Sequence, residues 1–150
     1  MEGFYGTINL QADEKGRYRI PSKFRAKLGT ESIFYMQNGS PYLSVISNSK
    51  SKEIIEKLSP MITLIDTPKS NAARTLLSNL CEIKEDGQGR FTLPPELKAE
   101  LGLGKEVVFI GMGTKVEMWD KTKWEESCKK AKESLAYADV IGELGETITF

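Results

Sequence analysis

Apolar residues in this chain of 150 recur in short runs, and two of the runs are nearly the same. "RYRI" places Tyr18 and Ile20 two apart, and "RFTL" does the same with Phe91 and Leu93. That alternation predicts a strand, with Arg17 and Arg90 on the face opposite the apolar side chains. Each strand follows a β-rich segment ("FYGTINLQA", "LCEIKE") and a polar turn that ends in Gly16 or Gly89, where a positive φ permits a tight reversal. Each is followed by proline, Pro21 or Pro94–Pro95, and then by a short amphipathic helix. Phe24 and Leu28 are four apart in the first copy, as are Leu97 and Leu101 in the second. Gly29 and Gly102 stand where a helix-ending glycine is expected, and Ser22 is placed to cap the first helix.

The offset between the copies is constant at 73: Asp13/Asp86, Gly16/Gly89, Arg17/Arg90, Pro21/Pro94, Leu28/Leu101. Further strands read from "ESIFYMQNG" and "YLSVIS" in the first copy and from "KEVVFIGMG" and "TKVEMWD" in the second. Gly111 and Gly113 read as a hairpin turn, because the full phosphate-binding glycine pattern is missing. Helices are expected over residues 50–58, 70–79 and 121–138, the last capped by Asp120; the tail 137–150 fits no other pattern. One copy alone would make a small, marginal sheet. Two copies could close a shared barrel, so the repeat reads as an internal pseudo-dimer. The division is residues 1–65 for the first repeat, 66–80 for a connecting helix and 81–150 for the second repeat with its C-terminal helix. The class is α+β with a mainly β core.

Composition narrows the function. No apolar run approaches the ~20 residues of a membrane span. No basic region followed by an apolar block opens the chain, so a cytoplasmic protein with reduced Cys81 and Cys128 is expected. Histidine is absent, which removes the commonest general base and metal ligand. No nucleophile–base pairing is visible either, so neither an enzyme nor a metal, cofactor or small-molecule substrate is expected. The formal net charge of zero hides a division. Residues 1–60 carry nine Lys/Arg against six Asp/Glu, and residues 61–150 carry twelve against fifteen. Between Asp13 and Gly29 the excess is four: Lys15, Arg17, Arg19, Lys23, Arg25 and Lys27 against Asp13 and Glu14. Such a face suits a polyanion partner, or is simply solvated. From Asp86 to Lys105 the charges balance, with Arg90, Lys98 and Lys105 against Asp86, Glu96 and Glu100.

The paired D-x-x-x-R-x-x-x-P units resemble the MraZ family of bacterial transcriptional regulators, related to the AbrB/SpoVT DNA-binding fold. "GTINLQADEKGRYRIPSKFR" is similar to the first family motif. "DGQGRFTLPPELKAELGLGKEVVFIGMGTKVEMWDKTKWEE" is similar to the second, and the resemblance spans residues 4–128. It implies a barrel of two interlocked swapped-hairpin units with flanking helices, and subunits assembled into rings, commonly octamers. It also implies a nucleoid-associated repressor that binds double-stranded DNA at promoter direct repeats of the division and cell-wall gene cluster.

On that resemblance Arg17 and Arg90 are DNA-contact candidates, with Lys15, Arg19 and Lys23 as further phosphate contacts. The basic surroundings make Arg17 the stronger of the two arginines, so the first copy would supply most of the DNA face. Asp13 and Asp86 carry the wrong charge for phosphate and read, with Gly16 and Gly89, as structural residues of the turn. Two alternatives remain open. The arginines could merely brace the hairpin to those aspartates, or the chain could be an antitoxin-like protein-interaction module without DNA binding. Trp119 and Trp124 read as core or subunit-interface aromatics rather than as stacking platforms for bases.

Overall fold

The computed structural model describes residues 3–148. Eight strands and six α-helices appear in the order β1 (Thr7–Gln11), β2 (Tyr18–Arg19), α1 (Ser22–Leu28), β3 (Ile33–Met36), β4 (Leu43–Ile46), α2 (Asn48–Leu58), α3 (Pro68–Ser78), β5 (Leu80–Ile83), β6 (Arg90–Phe91), α4 (Pro95–Leu101), β7 (Glu106–Gly111), β8 (Val116–Asp120), α5 (Lys121–Glu133) and α6 (Tyr137–Ile148). The class is α+β, as the pattern predicts.

Six strands form one antiparallel sheet in the order β1-β7-β8-β4-β3-β5, and β2 pairs with β6 in a separate ribbon. That order reads the same when the copies are exchanged. The first strand of each copy pairs with the third strand of the other: Leu10 faces Val107, and Ile33 faces Ile83. Ile83 is Leu10 plus 73, and Val107 is Ile33 plus 74, so one residue is inserted between Gly102 and Val107 ahead of the second copy's third strand. At the centre, Leu43 faces Met118 and Val45 faces Val116, and in the ribbon Tyr18 faces Phe91. The copies are therefore interleaved about a pseudo-twofold axis that runs between β4 and β8 and through the ribbon.

Among the described residues no closed barrel forms. Among the described residues β1 and β5 do not pair, and the ribbon with α1 and α4 covers the open side. The reason is local: each ribbon strand is confined between a turn glycine and a proline, so it is too short to bridge the sheet's two edges. The ribbon turns Tyr18, Ile20, Phe91 and Leu93 into the main core, where they meet Phe24, Leu28 and Leu101 from the helices and Val107, Phe109, Val116 and Met118 from the sheet. A second cluster on the sheet's other face holds Val108, Ile110 and Trp119 against Tyr42 and Trp124. Burial on both faces is why β7 reads as a continuous apolar run.

The helix ends correct two expectations. Ser22 does not cap α1: Pro21 holds the cap position, and its carbonyl accepts from the Phe24 and Arg25 N–H groups at 2.9 and 2.8 Å. The helix expected over 121–138 stops at Glu133, because Ser134 is extended (ψ 134°), and a separate helix α6 occupies the tail. Asp120 does cap α5, accepting from Lys123 N–H at 3.3 Å. Gly16 and Gly89 both sit at φ +75°.

Candidate nucleic-acid interface

Each hairpin turn is built by one aspartate. Asp13 N–H donates to the Arg17 carbonyl at 3.0 Å, and Gly16 N–H donates to the Asp13 carbonyl at 2.9 Å. The Asp13 carboxylate spans the turn, with Oδ1 accepting from the backbone N–H of Arg17 (2.8 Å) and Lys15 (3.0 Å) and Oδ2 from Arg17 Nε (2.6 Å). The second copy repeats every bond. Asp86 Oδ1 accepts from Arg90 N–H (2.9 Å) and Gln88 N–H (2.8 Å), and Oδ2 accepts from Arg90 Nε (2.8 Å). Hydrogen bonds to the charged form favour it. The Arg17 backbone N–H is the main cause that holds the Asp13 carboxyl below its usual range. Arg90's backbone N–H does the same for Asp86, which is lowered to about 2. These bonds run through Asp13 and Gly16 in the first turn and Asp86 and Gly89 in the second.

The ribbon brings the two turns together. Arg17 Nη1 lies 3.9 Å from Asp86 Oδ2, and Arg90 Nη1 lies 4.0 Å from Asp13 Oδ2. Four charges thus form a balanced quartet, each arginine braced through Nε by its own aspartate. The arginine side chains keep 26% of their surface in solvent. Arg19 faces Arg90 directly across the ribbon, so Arg17, Arg19 and Arg90 share the outward face while Tyr18 and Phe91 point inward. Leu10, Gln11, Asp13, Arg17, Tyr18, Arg19 and Arg90 line a shallow cleft of about 270 Å³ there.

The structure separates the other basic residues of the first copy. Lys15 and Arg19 are exposed and form no ion pair among the described residues. Lys23 is also exposed, with its ammonium 4.2 Å from the centre of the Tyr5 ring. Arg25 is spent on Glu85, with Nη2 to Oε1 at 3.0 Å. Lys27 donates to the Gly3 carbonyl at 3.0 Å. Sequence reasoning passed over Lys98, which comes from the second copy and stands 5.3 Å from the Tyr18 ring centre beside the first turn. Only the 73-residue offset could have hinted at it, since Lys98 is the counterpart of Arg25. Trp119 is 7% exposed, stacks on Tyr42 at 5.2 Å and donates from Nε1 to Glu117; it is a packing residue. Among the described residues no helix is long and apolar enough to cross a membrane.

A family model for MraZ protein, described as antitoxin-like, matches residues 76–140. The chain is 32% identical over 136 residues to a transcriptional regulator MraZ of Paenarthrobacter aurescens, covering 91% of this chain and 94% of that protein. It is 33% identical over 141 residues to the protein of the same name from Nitrosospira multiformis, covering 92% and 93%. It is 31% identical over 143 residues to that of Alkaliphilus oremlandii, covering 95% and 97%.

Proposed function

The chain belongs to the MraZ family of transcriptional regulators, and on that premise we propose that it binds double-stranded DNA through the outward face of the β2–β6 ribbon. One observation carries the reading: Arg17, Arg19 and Arg90 project together from a two-stranded ribbon whose other face is core. A major groove admits such a ribbon, and a guanidinium fork pairs with a guanine edge or a phosphate. The Nε braces hold Arg17 and Arg90 in place, each Nη1 lies near the other copy's aspartate at 3.9 and 4.0 Å, and each Nη2 is in no ion pair among the described residues. Lys15, Arg19 and Lys23 add phosphate contacts that position the protein without reading sequence.

The finer reading follows the family. Residues 1–65 and 81–150 act as two repeats joined by residues 66–80. The protein works in the nucleoid as a homo-oligomeric ring of eight, on promoter direct repeats of the division and cell-wall gene cluster, which it represses. Support for self-association comes from α6. Its stripe of Tyr137, Val140, Ile141, Leu144 and Ile148 is 37–60% exposed, and its other residues include Asp139, Glu143 and Glu146 and no base. Helix α5 offers a second open surface, lined by Trp124, Glu125, Cys128, Lys129, Lys132 and Glu133. Several subunits on repeated sites would multiply a modest single-site affinity.

The competing reading is a protein-interaction module in which the quartet is a closed brace. Titration against a duplex of the protein's own upstream region separates the two. DNA binding predicts affinity that falls steeply with salt, and a folded protein that ignores the duplex at low salt is an interaction module.

A further inference from the structure

The scaffold around the ribbon is nearly twofold symmetric, but its charges are not. Residues 73 apart set Lys15 against Gln88, Arg19 against Thr92, Lys23 against Glu96 and Lys27 against Glu100. The two basic positions shared with Arg25 and Lys98 deepen the difference, because both side chains cross to the other copy. Arg25 reaches Glu85 at the second turn and is neutralised there. Lys98 reaches the first turn and meets no carboxylate among the described residues. The turn glycines record the outcome. A Cβ on Gly16 would stand 3.2 Å from the Lys98 ammonium, whereas one on Gly89 would stand 3.7 Å from a Glu85 carboxylate oxygen. One turn therefore presents an unpaired cation and its twin a paired anion.

We infer that Lys98, Lys15 and Arg19 form one phosphate-binding cluster at the first turn, and that this cluster fixes which way round a protomer lies on a DNA duplex. The inference rests on the DNA-binding reading above. The arginines of the quartet are common to both copies and cannot by themselves distinguish the two orientations. The cluster can, since the first turn carries Lys15 and the unpaired Lys98 where the second carries Gln88 and the Arg25–Glu85 pair. Lys98 reaches the site from the opposite repeat, so each protomer needs both copies to complete the cluster.

Wild type, Lys98→Gln and Arg25→Gln are titrated against the upstream duplex at several salt concentrations, with circular dichroism to confirm the fold. Loss of one phosphate contact lowers the slope of log affinity on log salt by about 0.9. Lys98→Gln is expected to show that shift and Arg25→Gln the wild-type slope. Equal shifts, or a wild-type slope in Lys98→Gln, overturn the cluster. Orientation is read from an iron chelate tethered to Cys in Gln88→Cys, with Cys81→Ser and Cys128→Ser. Strand cleavage is expected on one side of each protected site, and on both sides once Lys15→Gln and Lys98→Gln are added. Cleavage on both sides without those changes overturns the polarity. A wild type that binds no duplex removes the DNA-binding reading and this inference together, whereas the other failures leave that reading intact.

Discussion

Gly111→Ala puts two physical effects in direct opposition. Gly111 ends β7, and alanine in place of glycine inside a strand normally gains about 0.5–1 kcal/mol of stability. Here the N-terminal segment crosses directly over it. A Cβ at Gly111 would lie 2.1 Å from Tyr5 N and 2.5 Å from Phe4 C, which is backbone and cannot swing aside. The segment must lift. Gly111 N–H then loses the Gly6 carbonyl (2.9 Å), and the paired Phe4–Gly113 bonds (both 2.8 Å) open. Phe4, only 8% exposed and edge-on to Phe24 at 6.3 Å, leaves the core. Burial of that ring is worth about 1.5–3 kcal/mol, its aromatic contact about 0.5–1.5 and each hydrogen bond about 0.5–1.5. Even at the low ends, less the alanine gain, the net loss is about 2.5 kcal/mol. At about 2–4 °C per kcal/mol for a chain this long, the melting temperature should fall by roughly 5–10 °C. Thermal unfolding followed by circular dichroism measures it. Gly142→Ala is the control: no atom lies within 4 Å of its Cβ, and helix propensity alone predicts an unchanged or slightly higher melting temperature. A Gly111→Ala protein that melts at or above wild type would refute the close approach and the seating of Phe4.

Two further outcomes follow from the turns and the tail. The Asp86 carboxyl is lowered to about 2 in the folded protein against about 3.9 unfolded, so its contribution is complete above the unfolded value and is lost as pH falls toward 2. The gap between wild-type and Asp86→Asn melting temperatures should be constant above pH 5 and close between about pH 4 and 2; a gap independent of pH contradicts the brace. Leu144→Glu, in the exposed stripe of α6 and 56% exposed, should lower the native mass of the assembly without lowering the melting temperature of the chain. An unchanged mass removes α6 from the subunit contact.

Sequence alone carried the repeat, because turn glycines, strand alternation and helix spacing are local signals. It located Gly16 and Gly89 at positive φ, α1 and α4 in register, and the Asp–Arg pairs four residues apart. Strand exchange between copies was less legible. Apolar alternation says which face of β1 is buried, but not whether Leu10 meets a residue of its own copy or Val107. The barrel failed for the same reason, since closure depends on strand length and partner rather than on pattern. In the tail, Tyr137, Val140, Ile141, Leu144 and Ile148 do hold a helical period. Gly142 and Gly145 weaken it, and no partner face was visible in the chain to justify the stripe. At the site, Arg25–Glu85 and Lys98–Tyr18 join residues 60 and 80 positions apart. Counting local charge therefore assigned Arg25 to the free basic patch and missed Lys98.

Whether the ribbon's arginines hold DNA is decided by titrating wild type, Arg17→Ala and Arg90→Ala against the protein's own upstream duplex at two salt concentrations. Wild type should bind tightly and with strong salt dependence, and Arg17→Ala should lose roughly tenfold or more in affinity. Arg90→Ala should lose less, and native mass and melting temperature should hold in both. Wild-type binding that neither variant weakens, or no binding by an intact wild-type assembly, would contradict DNA contact by the arginines and leave the quartet as a brace of the fold.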